Sequence, residues 1–199
     1  MKRFLLALAL MVPMNVTAQE DWTFAETNYK VSADQFYVSF RQRNLDSNIR
    51  DYLHGELGYK FGNLEVAYRY AVDDNGPDND IVEQRWKFTL GLLKTGPLSL
   101  KARMEHRDFN IKDDYWRFRW ILQADQRLND QVAVWGIIQP RWKVQDDLTI
   151  DDWRNQVGIT LGNGPMTFGP FLERYSTGDN QALSDSQLFF GVNVNIKLR

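Results

Sequence analysis

The chain has 199 residues, of which 43% are hydrophobic and 25% charged, with a formal net charge of −2 and no cysteine. That length is one domain, the missing cysteine excludes disulfides and thiolate metal sites, and no nucleic-acid partner is expected. Aromatic residues are abundant, with seven Trp, eight Tyr and twelve Phe.

The amino-terminal stretch carries export signals. Lys2 and Arg3 form a basic start, Phe4 to Val12 is a short apolar run, and Val16-Thr17-Ala18 has the small residues of a cleavage site. Residues 1–18 therefore read as a signal peptide and 19–199 as the mature domain, whose charge without Lys2 and Arg3 is −4. Past Pro13 no apolar run approaches the ~20 residues of a membrane-spanning helix. A membrane-spanning chain of this kind has only the barrel left to it. Residues 19–33 are expected to form a leader outside the barrel.

From residue 35 onward a beat sets in. Tight turns are expected at Gly62-Asn63, Gly96-Pro97, Asn129-Asp130 and Gly164-Pro165, 34, 33 and 35 residues apart. Between them lie longer polar stretches: Asp73 to Asp80, Asn110 to Asp114, Asp146 to Asp152 and Ser176 to Ser186. A period near 34 can mark helical solenoids, but the segments here alternate with period 2. Such alternation covers positions 36–41, 52–61, 64–70, 82–92, 98–107, 116–123, 132–139, 153–161, 166–173 and 188–198. The sequence thus reads as all-β, an antiparallel up-and-down transmembrane β-barrel of about ten strands, with twelve as the alternative. Short turns and both chain ends would lie on the periplasmic side. A soluble barrel would hide the apolar face inside. The aromatics near strand ends and the separation of short turns from long loops favour the membrane version.

The two faces differ in chemistry. Trp86, Phe88, Trp116, Phe118, Trp120, Val192 and Val194 are expected outward, towards outer-membrane lipid and lipopolysaccharide. The opposite face carries Arg41, Arg43, Lys60, Arg69, Arg85, Lys87, Lys101, Arg103, Arg107, Arg117, Arg119, Arg141, Lys143 and Arg154. Its acids are Glu56, Glu65, Glu83, Glu105 and Glu173, while Asp113, Asp114, Asp146, Asp147, Asp151 and Asp152 fall in expected loops. Guanidinium groups in a low-dielectric tube concentrate anions and match carboxylates bidentately. Rings of Arg and Lys are how pores select anions. A narrow barrel filled with Arg–Glu ladders is the alternative, but five acids do not neutralise fourteen bases.

Several stretches carry a family resemblance: 114–119 (DYWRFR), 128–134 (LNDQVAV), 140–143 (PRWK), 170–173 (PFLE), Gly178-Asp179 and the closing 190–198. Together these stretches resemble the oligogalacturonate-specific porins. That resemblance implies a monomeric barrel, usually of twelve strands with a terminal aromatic, that takes up acidic oligosaccharides. It makes Arg103, Arg107, Arg117, Arg119 and Arg141 the solute track. This chain ends in Arg199 and yields ten strands.

The residues that could serve catalysis do not come together. Of the two histidines, His54 is expected inward near Glu56 and His106 outward, and no serine is in phase beside either. The aspartate pairs at 113–114, 146–147 and 151–152 read as solvated charge or as divalent-cation and lipopolysaccharide contacts. No cofactor motif and no metal-ligand set is found. The resulting expectation is an outer-membrane channel of a Gram-negative bacterium, not an enzyme, passing small anionic solutes. A non-conducting structural or adhesive barrel is the alternative, and an outer-membrane hydrolase a more distant one.

Overall fold

A computed structural model describes residues 22–44, 51–73, 81–145, 148–179 and 182–198. The stretch 1–18 read as a signal peptide and the polar stretches at 74–80 and 146–147 lie outside the described residues. Eleven strands make up the fold: β1 (Trp22–Ala33), β2 (Phe36–Asn44), β3 (Asp51–Phe61), β4 (Leu64–Asp73), β5 (Ile81–Thr95) and β6 (Leu98–Phe109), then β7 (Tyr115–Arg127), β8 (Val132–Val144), β9 (Leu148–Leu161), β10 (Met166–Asp179) and β11 (Ala182–Leu198). Each pairs with its chain neighbours, and β11 closes a barrel on β1.

The count differs from the expected ten, and the difference lies at the amino end. Residues 22–33 are not a leader but a strand, antiparallel to β2 and parallel to β11. Consecutive antiparallel strands alternate in direction, so an odd ring has to close with one parallel pair. Here that pair is β1 with β11. The two ends of the barrel chain are consequently opposite. Leu198 lies beside Ala33 at the turn end, and Trp22 lies beside Leu188 at the other. Parallel pairing is slightly weaker per residue. Side chains reinforce this one: Asn28 Nδ2 donates to Asn193 Oδ1 at 2.9 Å across it.

The expected turns do gather at one end. Turns or bends stand at 34–35, 62–63, 96–97, 129–131 and 163–165. Gly62 and Gly96 hold φ of 61° and 52°, in the left-handed region that glycine enters without penalty. In the last turn the left-handed residue is Gly162, not Gly164. The turn that opens β2 uses Asp34 at φ 46°, a conformation aspartate tolerates better than most.

Alternation does the rest. From Glu83 to Leu90 of β5 every second residue is buried and every other one exposed. Trp86, Phe88 and Trp116 are exposed on the outer surface, as are Phe36, Val38, Leu57, Leu90, Phe168 and Phe190. Arg85, Lys87, Arg117 and Arg119 are buried inside. The fold therefore buries its charges and exposes its large apolar side chains, the reverse of an ordinary domain. Among the described residues no helix is long and apolar enough to cross a membrane.

Candidate functional site: an arginine chamber

Inward positions on eight strands converge on one cavity of about 370 Å³. Ten arginines line it: Arg41 and Arg43 from β2, Arg69 from β4, Arg85 from β5, Arg103 and Arg107 from β6, Arg117 and Arg119 from β7, Arg141 from β8 and Arg154 from β9. Gln139, Gln156 and Tyr175 complete the lining. Among the described lining residues there is no carboxylate.

The registers put many of these cations side by side. Arg69 is opposite Arg85, and Arg85 opposite Arg107. Arg103 is opposite Arg119, and Arg119 opposite Arg141. Like charges directly across a strand pair destabilise a sheet. The wall compensates with carboxylates set behind the guanidinium groups. Glu56 accepts from Arg69 at 2.7 Å and Lys87 at 2.5 Å. Glu83 accepts from Arg85 and Arg107, each at 2.6 Å. Glu105, fully buried, pairs with Arg119 and, at 3.3 Å, with Arg85. Asp152 holds Arg141 at 3.0 Å, and Asp151 pairs with Arg117.

The seam has its own cluster. Glu26 on β1 takes Arg41 at 3.0 Å and also Arg43. Arg43 reaches across β1 and β11 to Glu173 on β10, 2.6 Å away, and Arg154 meets the same carboxylate at 3.0 Å. This chain of charges ties β2 to β10 across the closing pair.

The sequence reading missed three of these acids. Glu26 lies in the stretch read as a leader. Asp151 and Asp152 were expected in a loop, but belong to β9 and face the arginines. Eight carboxylates (Glu26, Glu56, Glu65, Glu83, Glu105, Asp151, Asp152 and Glu173) therefore stand among the ten arginines and Lys87. Set against the same fourteen inward bases, eight anions instead of five leave a positive excess of six instead of nine. The Nε donors of Arg117, Arg119 and Arg141 are buried without a protein acceptor.

The fourteen basic residues expected on the inward face divide between the chamber and places outside it. Arg41, Arg69, Arg85, Arg103, Arg107, Arg117, Arg119, Arg141 and Arg154 line the chamber. Lys87 is buried in the wall on Glu56, Lys101 lines a separate cavity at the turn end, and Lys143 lies 4.8 Å from the Tyr115 ring centroid. Arg43, an expected inward base, joins the chamber, and Lys60 lies at the turn end. His54 is buried inside opposite Arg41. His106 is on the outer face, 4.9 Å between ring centroids from Trp116. Among the described residues no cluster of three or more His, Asp or Glu could hold a metal ion.

No protein-family model, curated protein or solved structure matches the chain.

Proposed function

We propose that this protein is an outer-membrane β-barrel that binds and passes small anionic solutes through its lumen, with its turn end towards the periplasm. The observation that carries this reading is the chamber: ten arginines and no acid on its described lining. Packing that many cations together is costly, and an anion in the chamber relieves the cost. A cavity of about 370 Å³ suits a small ligand. Guanidinium favours carboxylate or phosphate groups, and the two glutamines and the tyrosine add neutral hydrogen-bonding partners for hydroxyls. Acidic sugars have both kinds of group, in keeping with the resemblance noted above. The apolar outer face supports the membrane setting, since exposed surfaces of this kind need a non-aqueous or protein cover.

A liposome-swelling assay tests the reading with a size-matched pair, galacturonate and galactose. Faster entry of galacturonate is the expected result. Equal entry, or faster entry of galactose, contradicts it. A non-conducting structural or adhesive barrel is favoured by a different observation, the carboxylate within ion-pair distance of each chamber arginine. Entry of neither sugar selects that second reading.

A further inference from the structure

Between the arginine chamber and the turn end, three aromatic side chains point into the lumen: Tyr37, Trp135 and Phe171. Each stands four positions nearer the turn end than a chamber-lining residue of its own strand, namely Arg41, Gln139 and Tyr175. Glycines opposite them leave the room. A methyl group on Gly58 would overlap the Tyr37 ring, one on Gly158 would meet Trp135 at 2.5 Å, and one on Gly191 would overlap Phe171.

The three are held in different ways. Trp135 and Phe171 pack on each other, with centroids 6.1 Å apart. Tyr37 is held by polar tethers. Its hydroxyl lies 2.9 Å from Glu56 and 3.0 Å from Glu65, and having one hydrogen it can donate to only one of them at a time. Glu56 is clamped by Lys87 and Arg69. Glu65 is held more loosely, with Lys60 at 3.6 Å and Arg103 at 3.8 Å. The Lys30 ammonium sits 3.9 Å from the Tyr37 ring centroid.

Beyond Tyr37 the cations change type. A second cavity of about 370 Å³ is lined by Lys30, Lys60 and Lys197, with Asp34 as its acid. A neighbouring cavity shares Lys60 and adds Lys94 and Lys101, with Glu65 as its acid. Arginine lines the chamber, and lysine lines the turn end. Ammonium is a compact, strongly hydrated charge, whereas guanidinium is a rigid fork, so the turn end suits an anion on its way in or out rather than one that stays.

We propose that Tyr37 is the gate of the lumen, separating the arginine chamber from a second, weaker anion site in the lysine vestibule. This rests on the anion-passing reading above. An anion that reaches Lys30 and Lys60 draws those ammonium groups from the Tyr37 ring and from Glu65. The ring then loses the Lys30 ammonium from its face and turns off its glycine floor, while Trp135 and Phe171 stay packed.

Single-channel recording in planar bilayers with KCl tests the gate, with inorganic phosphate as the anion probe. Tyr37→Ala is expected to raise the conductance about twofold or more, because pore width sets the current. Tyr37→Phe keeps the ring, removes the tethers and is expected to open more often; it also serves if the alanine variant does not assemble. Phosphate added on the turn side is expected to raise the wild-type open probability, and Lys30→Gln with Lys60→Gln to lose that rise while keeping the reduction of current by phosphate from the other side. A wild-type channel that conducts and is unchanged in both Tyr37 variants overturns the gate and leaves the channel standing. Loss of the phosphate effect from both sides, or from neither, overturns the vestibule. A silent wild type with a conducting Tyr37→Ala supports a gate shut at rest. Silence in all variants overturns the anion-passing reading, and the gate with it.

Discussion

Arg119 has arginines opposite it on both sides, Arg103 on β6 and Arg141 on β7's other neighbour β8. What makes this tolerable is Glu105, fully buried and in contact with Arg119 and Arg85. Removing one partner of a buried pair costs about 3–5 kcal/mol because the other charge is left stranded. Glu105→Gln is therefore expected to lower barrel stability by about that amount, read from urea unfolding of the refolded protein. A loss under about 1 kcal/mol would mean that solvent in the chamber, not Glu105, carries the charge. Legibility in the sequence followed the same lines. The chamber arginines could be read because each holds its place in a period-2 run. Asp151 and Asp152 could not, since a regular strand turns adjacent residues to opposite faces. The register slips between Arg141 and Trp142, leaving Asp151 as the extra residue opposite them, and a bulge of this kind lets both acids reach arginines. Adjacent acids in a sequence look like a loop unless the bulge on the partner pairing is known.

At the scale of elements, β1 is the strand that changes the topology. Its register slips between Phe24 and Glu26, so alternation holds only over the eight residues from Glu26 to Ala33, and its turn, Asp34-Gln35, has neither the glycine nor the asparagine of the other turns. Both signals are weaker here than in the other ten strands. Without β1, β2 and β11 would meet as antiparallel neighbours, which is the ten-strand barrel read from the sequence. The pairing of Thr27 with Val192 gives a clean test in a chain that has no cysteine of its own. Thr27→Cys with Val192→Cys is expected to form an intramolecular disulfide on mild oxidation, seen by mass spectrometry of the proteolysed protein. Persistently free thiols in an assembled barrel would return residues 22–33 to a leader. The outer face makes a second prediction. Phe118 packs there between Trp120 and Trp142, with centroids 5.2 and 5.9 Å away. If that face meets lipid near the midplane, Phe118→Arg is expected to cost about 2–4 kcal/mol in bilayer-refolding titrations. A negligible cost would place this face in water or in the headgroup region.

Across the whole molecule, charge is sorted in two directions. Radially, ten arginines line an interior chamber while large apolar side chains cover the outside. Axially, arginine gives way to lysine towards the turns. A net charge of −2 for the chain hides both patterns, which exist only once the strands are in register. Interior fields of this kind act over short range and fade with salt, the Debye length falling from about 10 Å at 0.1 M to about 3 Å at 1 M. Any ion preference should accordingly shrink in concentrated salt. The central claim, that the arginine chamber favours anions, is tested most directly by the reversal potential of the purified protein in a planar bilayer across a KCl gradient. A wild-type reversal potential on the chloride side of zero, collapsing towards zero when Arg103 and Arg107 are replaced by glutamine, is the expected result. A reversal potential on the potassium side, or a chloride preference indifferent to those two substitutions, would contradict it.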